Sequence, residues 1–307
     1  MQPAPLYPGY CVRSNPKTTC FRAPIASGDL LGGPPRHTIK PMPLTYHDLT
    51  GARAILTGAS SGIGSALALR LAEQGVRLVL ASRQQARLEA LASSIERRGG
   101  QAHVVATDVA DAAQRARLIE SAVAALGGLD ILINNAGAGA MGPFSEASEE
   151  RLRRIFEVNF FGCTELTRLA LPHLRQGKNP MLVNVASILG RRAIPGCAEY
   201  CASKFAMVGW SEGLRAELAL HGIHVLVACP GSTDTEFRAN LIEDKARYRW
   251  QSRGMSADRC AWLIVRAMRS RRNEIVLTAG GKLLVWLNRL VPRLVDRLMI
   301  SYARPKG

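Results

Sequence analysis

Tyr200 and Lys204 stand four residues apart, with Ser187 upstream of them and Asn159 further upstream, behind a glycine-rich turn that runs Thr57-Gly58-Ala59-Ser60-Ser61-Gly62-Ile63-Gly64. On a helix, positions i and i+4 share a face, so a phenol and an ammonium at this spacing can point into one cleft. A nearby cation favours the phenolate and pulls a tyrosine of reference pKa about 10 toward neutrality, where it can trade a proton with a substrate oxygen. Ser187 supplies a hydroxyl to hold that oxygen. These residue types describe a proton-transfer device placed beside a dinucleotide site.

The dinucleotide part rests on Gly58, Gly62 and Gly64, which follow an apolar strand at 54–56 and open an apolar-spaced helix over 65–74. In that context backbone N–H groups of the turn, with Ser60, Ser61 and Ile63 between the glycines, can approach a pyrophosphate at the positive end of a helix dipole. The second strand, 77–81, runs into Ser82 and Arg83 with no carboxylate at its end. A free ribose 2′-hydroxyl is usually held by an acidic residue there, whereas a 2′-phosphate needs a cation, so NADP(H) is favoured over NAD(H) with Arg83 as its fork of donors. Asp108 and Val109 follow the third strand. Asp108 could accept from an adenine amino group or cap the next helix. Asn135, Ala136 and Gly137 end the fourth strand, where small residues let the chain pass close to a ribose.

From residue 52 onward strands and helices alternate: 77–81, a helix to 98, 103–106, a helix to 126, 131–134, a helix around 149–175, 181–185, a long helix over 200–221, 224–228, and a closing strand at 275–277. This pattern predicts an α/β fold with a doubly wound parallel sheet covered on both faces, and ligands beyond the carboxyl ends of its strands. Residues 1–48 are rich in proline and without periodicity, so they read as a disordered tail or an over-long start. Residues 49–280 are expected to form the catalytic domain, and 281–307 a basic amphipathic helical extension. In 282–299, leucines, valines and Trp286 make one side and Arg289, Arg293 and Arg297 another; charges at every turn exclude a spanning helix. Pro292 is expected to kink that helix or start a new one. Such a segment can lie in a membrane interface or cover a protein contact.

The formal charge of +16 is unevenly placed, with +3 over 1–50, +2 over 51–237 and +11 over 238–307. A near-neutral body with no reading motif excludes a nucleic-acid protein, and the basic C-terminal third makes an anionic membrane surface a candidate partner. The seven cysteines lack paired metal-ligand spacing, which argues against a disulfide framework or a metal site and fits a reducing cytoplasm. Cys197 and Cys201 flank Tyr200 and are either reactive or small space-fillers.

In order along the chain, T-G-x-x-x-G-x-G at 57–64, N-N-A-G at 134–137, Asn159, Ser187, Y-x-x-x-K at 200–204 and P-G at Pro230-Gly231 resemble the short-chain dehydrogenase/reductase family over about residues 49–237. The resemblance implies a Rossmann fold and a catalytic tetrad of Asn159, Ser187, Tyr200 and Lys204. Tyr200 would be the acid–base residue and Lys204 would hold the nicotinamide ribose. Ser187 would position the substrate oxygen, Asn159 would support a relay water, and Thr233 and Thr235 would contact the nicotinamide amide. It further implies hydride transfer between the cofactor and a carbonyl or alcohol substrate, and assembly as a homo-oligomer. Substrate choice would sit in 188–199 and in 236–255, where Ile188, Leu189, Ala193, Ile194 and Pro195 suggest an apolar face and Arg191 and Arg192 could meet an anionic group. The alternatives are a catalytically silent NADP-binding scaffold on the same fold and an epimerase or dehydratase sharing Y-x-x-x-K; the spacing of the first two glycines weakens the latter.

Overall fold

In a computed structural model of the chain, residues 46–245 and 254–303 are described, so most of the predicted N-terminal tail and part of 236–255 lie outside them. The strands are β1 (Arg53–Thr57), β2 (Arg77–Ser82), β3 (Gln101–Ala106), β4 (Ile131–Asn134), β5 (Met181–Val185) and β6 (His224–Cys229), then the short pair β7 (Thr233–Asp234) and β8 (Met255–Ser256), and β9 (Glu274–Val276). Seven form one sheet in the order β3-β2-β1-β4-β5-β6-β9, every pair parallel. The helices are α1 (Gly62–Glu73), α2 (Gln85–Glu96), α3 (Ala112–Leu126), α4 (Glu149–Phe156), α5 (Gly162–Leu174), α6 (Ala198–Ala219), α7 (Ala257–Arg269), α8 (Ala279–Leu290) and α9 (Pro292–Ala303).

Strand residues alternate between the two faces, because successive side chains of a strand point opposite ways. Ala54, Leu56, Ile133 and Val183 join Leu67, Leu71, Leu88 and Ile264 of α1, α2 and α7 on one side. Ile55, Leu132 and Leu182 join Leu118, Leu166, Ala170 and Leu218 of α3, α5 and α6 on the other. Covered on both faces, the strands are apolar along nearly their whole length, which is why the sequence shows them as short hydrophobic runs. The chain moves outward one way through β2 and β3 and the other way through β5 and β6, so the crevice opens where β1 and β4 lie side by side.

One element differs from the sequence expectation, and a second settles between its two expected forms. The helix predicted over 149–175 is α4 and α5 joined by a π-turn, Glu157–Phe161, which inserts an extra residue at Asn159. The helix predicted over 282–299 begins at Ala279 and breaks at Val291, and Pro292 opens α9, where its missing N–H costs nothing. At the other end His47 N donates to Arg269 O (2.6 Å), and Leu49 is 1% exposed, so the chain enters the core there.

Candidate active site

The cradle for a dinucleotide is built from backbone. Gly58 has φ +63°, and a Cβ there would come within 2.8 Å of Ala136 Cα; one on Gly64 would come within 2.0 Å of Gly58 O. Thr57 Oγ1 accepts from Asn135 N (3.0 Å) and Ala136 N (3.1 Å), while Asn135 Nδ2 donates to Thr57 O (2.9 Å) and Gly58 O (3.1 Å). Asn135 therefore staples the glycine turn to the end of β4 instead of reaching outward. Ser61, at the N-cap of α1, makes no side-chain capping bond, which leaves the first-turn N–H groups of the helix for an anion. The cradle, the uncapped helix end and the exposed Arg83 at the cleft rim fit a dinucleotide phosphate backbone, and Ser60, Ile63, Val109, Pro230 and Gly231 line the same cleft.

Asp108 does not cap α3; Asp111 does, accepting from Gln114 N (2.8 Å). Asp108 instead accepts from Ala110 N (3.0 Å) and Arg154 Nη2 (2.9 Å). Burial works against its ionisation, but the amide and the guanidinium outweigh it and hold the carboxyl below its usual value. Arg154 is a cleft residue that sequence reasoning missed. Thr235 packs over Gly62, where a Cβ would lie 3.1 Å from the threonine's own Cβ, and Thr233 lines the cleft beside Gly254.

At the inner end, the Tyr200 and Ser187 side chains line the same stretch of the cleft, and Ser187 Oγ accepts from Leu189 N (3.1 Å). Lys204 is 3% exposed, donates from Nζ to Val185 O (3.1 Å) and stands 5.8 Å from the centre of the Tyr200 ring. The structure departs here from the expected acidified phenol. Burial pushes Tyr200 well above its ordinary value against the opposing influence of the Ser187 hydroxyl, and burial lowers Lys204 to about 8. Desolvation disfavours both charged forms and outweighs their attraction. Asn159 is fully buried behind the cleft wall: its Oδ1 accepts from Ala138 N (2.7 Å), and its Nδ2 donates to Ala138 O (2.9 Å) and Ser203 Oγ (2.9 Å). Its side chain thus fixes the loop after β4 that carries Gly137.

The cleft, about 560 Å³, ends in an apolar chamber lined by Met141, Leu189, Ile194, Phe237, Leu241 and Ile242. Phe237 lies 5.6 Å from the Tyr200 ring. Arg191 and Arg192 do not face it as free cations. Arg191 is held by Glu274 Oε1 (2.9 Å) and Glu212 Oε1 (2.6 Å), and Arg192 by Asn288 Oδ1 (2.9 Å) and Asp296 Oδ1 (2.8 Å). Cys197 and Cys201, 3% and 1% exposed with sulfurs 3.7 Å apart, fill space around Ile194. Sequence reasoning also missed Arg151 on α4. It is buried and donates to Glu199 from Nε (3.0 Å) and Nη2 (2.5 Å), and to Glu243 from Nη1 (2.9 Å). Glu199 precedes Tyr200 on α6, and Glu243 belongs to the segment that pairs with 139–141, so one guanidinium ties the catalytic helix to the chamber wall.

Residues 52–246 match the family model described as short chain dehydrogenase. The chain belongs to the short-chain dehydrogenases. This short-chain dehydrogenase is 30% identical over 257 residues to the ketoacyl reductase HetN of Nostoc sp., covering 81% of the chain and 88% of that protein. It is 33% identical over 266 residues to dehydrogenase/reductase SDR family member 7B of Mus musculus, covering 83% and 82% respectively. Among solved structures it superposes with a short-chain dehydrogenase/reductase from Burkholderia phymatum in complex with NAD at a TM-score of 0.73 and 27% identity, covering 85% of the chain and 98% of that one. A short-chain dehydrogenase from Burkholderia cenocepacia in complex with NADP gives 0.69 and 30%, covering 77% and 100%.

Proposed function

We propose that this short-chain dehydrogenase is an NADP(H)-preferring reductase of apolar carbonyl compounds in which Tyr200 is the general acid. The observation that carries this reading is the placement of Tyr200 and Ser187 together in the cleft wall shared by the glycine cradle and the apolar chamber. Bound in the cradle, the nicotinamide supplies the hydride. Ser187 and Tyr200 then present two hydroxyls to the carbonyl oxygen, and both bonds strengthen as that oxygen gains charge. A phenol held above its usual pKa stays protonated at neutral pH, which suits an acid that donates to a nascent alkoxide more than a base that must start ionised. The proton leaves the Tyr200 hydroxyl for the substrate oxygen.

Arg83 supports the cofactor preference, since it is exposed at the rim and forms no salt bridge among the described residues, with only the more distant charge of Asp108 nearby. The neighbours include one with NAD and one with NADP, so the preference rests on this residue alone. The name of the Nostoc relative adds ketoacyl compounds to the substrates worth assaying. The test is consumption of NADPH and NADH against alkyl ketones, ketoacyl esters and polycyclic ketones. Activity should rise with substrate apolarity and be lost in Tyr200→Phe while NADPH binding persists. Tight cofactor binding with no turnover of any carbonyl would overturn the reductase reading in favour of a scaffold.

A further inference from the structure

The outer face of α8 and α9 carries the densest group of exposed large hydrophobic side chains among the described residues. Seven of the large hydrophobic side chains that stand exposed among the described residues crowd into 283–300: Leu283, Trp286, Leu290, Val291, Leu294, Leu298 and Ile300. The rest are scattered singly from Tyr46 to Ile242, as on most protein surfaces. On α8, Leu283, Trp286 and Leu290 recur at i, i+3 and i+7, and Val291, Leu294 and Leu298 repeat that spacing into α9, so each helix turns one stripe outward. The inner faces are occupied: Val295 is 1% exposed, Met299 packs on the cluster of Ile194, Cys197 and Cys201, and Asn288 and Asp296 hold Arg192.

We propose that this face docks on an anionic phospholipid surface, with α8 and α9 lying in the interface. Lys282, Arg289, Arg293 and Arg297 are exposed along the stripe with no carboxylate partner among the described residues, and the one acid of the two helices, Asp296, is engaged by Arg192. A second copy of this chain is a poor occupant. A two-fold contact would lay the patch on itself and bring cations against cations with no acid to meet them. Lipid phosphates supply the missing anions, acyl chains take the leucines, and Trp286 suits the headgroup level. No described helix is long and apolar enough to cross a membrane, so the contact is peripheral.

The docking face backs directly onto the chamber. Gly281 approaches Ile188, with its Cβ position 3.2 Å from Ile188 Cδ1, and Met299 reaches the Tyr200 cluster. A carbonyl compound dissolved in the bilayer would therefore enter beside the catalytic hydroxyl. That consequence rests on the reductase reading; the docking itself does not.

The experiment is co-sedimentation of the full chain with vesicles of phosphatidylcholine alone and of phosphatidylcholine mixed with phosphatidylglycerol, in low and high salt, without cofactor or substrate. The expected result is binding to the mixed vesicles that falls several-fold in high salt and on neutral vesicles. Trp286→Glu combined with Leu290→Glu and Leu294→Glu should lower it by at least about tenfold, with an unchanged melting temperature and unchanged turnover of a water-soluble ketone. Arg289→Gln with Arg293→Gln and Arg297→Gln should abolish the preference for phosphatidylglycerol. Failure to bind either vesicle, or equal binding by the glutamate variant, would overturn the proposal. So would a concentration-dependent dimer in sedimentation equilibrium that the same glutamates dissolve, since the face would then belong to a second copy.

Discussion

Replacing Lys204 with methionine should destroy activity and make the cofactor-free protein more stable. The ammonium is 3% exposed and has one hydrogen bond, to Val185 O. Among the described residues no carboxylate forms a salt bridge with it, and the thiols that act on it, Cys163 and Cys229, are pushed by burial to about 12 and are uncharged at neutral pH. Its pKa falls from 10.5 to about 8 because burial penalises the charge. At roughly 1.4 kcal/mol per unit, the charged side chain costs the fold about 3 kcal/mol near neutral pH. Methionine fills the same space without charge and gives up one hydrogen bond worth about 1 kcal/mol, for a net gain of about 2 kcal/mol. The pH dependence follows with a definite sign. Below about 8 both states hold the proton and the penalty is complete; between about 8 and 10.5 the unfolded chain keeps a proton that the folded one has shed. Wild-type stability should therefore rise through that window relative to the variant, and the gap should close. Urea denaturation of both proteins across this range measures it. A variant less stable than wild type near neutral pH, or a gap that does not change with pH, would refute the reasoning.

Arg83→Asp should move the ratio of NADPH to NADH kcat/KM toward NADH by at least about tenfold, because it removes the donor fork and supplies an acceptor for a ribose hydroxyl; an unchanged ratio in steady-state assays counts against Arg83. Arg151→Met leaves Glu199 buried without its cation and should cost about 3–5 kcal/mol, and adding Glu199→Gln should recover much of it; thermal unfolding of the single and double variants decides. Gly64→Ala forces a Cβ to 2.0 Å from Gly58 O and should abolish NADPH binding in a fluorescence titration.

The cradle and the tyrosine–lysine pair were legible because their chemistry is written in short spacings: three glycines in seven residues, and a phenol and an amine one helical turn apart. The sheet was legible for a related reason, since strands buried on both faces must be apolar runs. What escaped depends on partners far away along the chain. Glu199 and Glu243 lie 48 and 92 residues from Arg151, and nothing local to any of the three foretells the contact. Arg191 and Arg192 read as free cations because Glu274 and Asp296 are 83 and 104 residues distant. The sign of the Tyr200 shift escaped too: spacing shows that a cation is near, while the degree of desolvation belongs to the folded surroundings.

The five-residue turn at Glu157–Phe161 works as a phase shifter between two rigidly indexed shafts. One shaft is keyed by Arg151 to Glu199, the other by Thr167, whose hydroxyl accepts from Asn134 Nδ2 (3.0 Å). Each residue advances an α-helix by about 100°, so omitting one residue here would rotate one key out of its lock. Elsewhere the chain has loops that absorb a change in length. Here length itself is specified, and natural variation should run through substitution alone, with neither gaps nor additions.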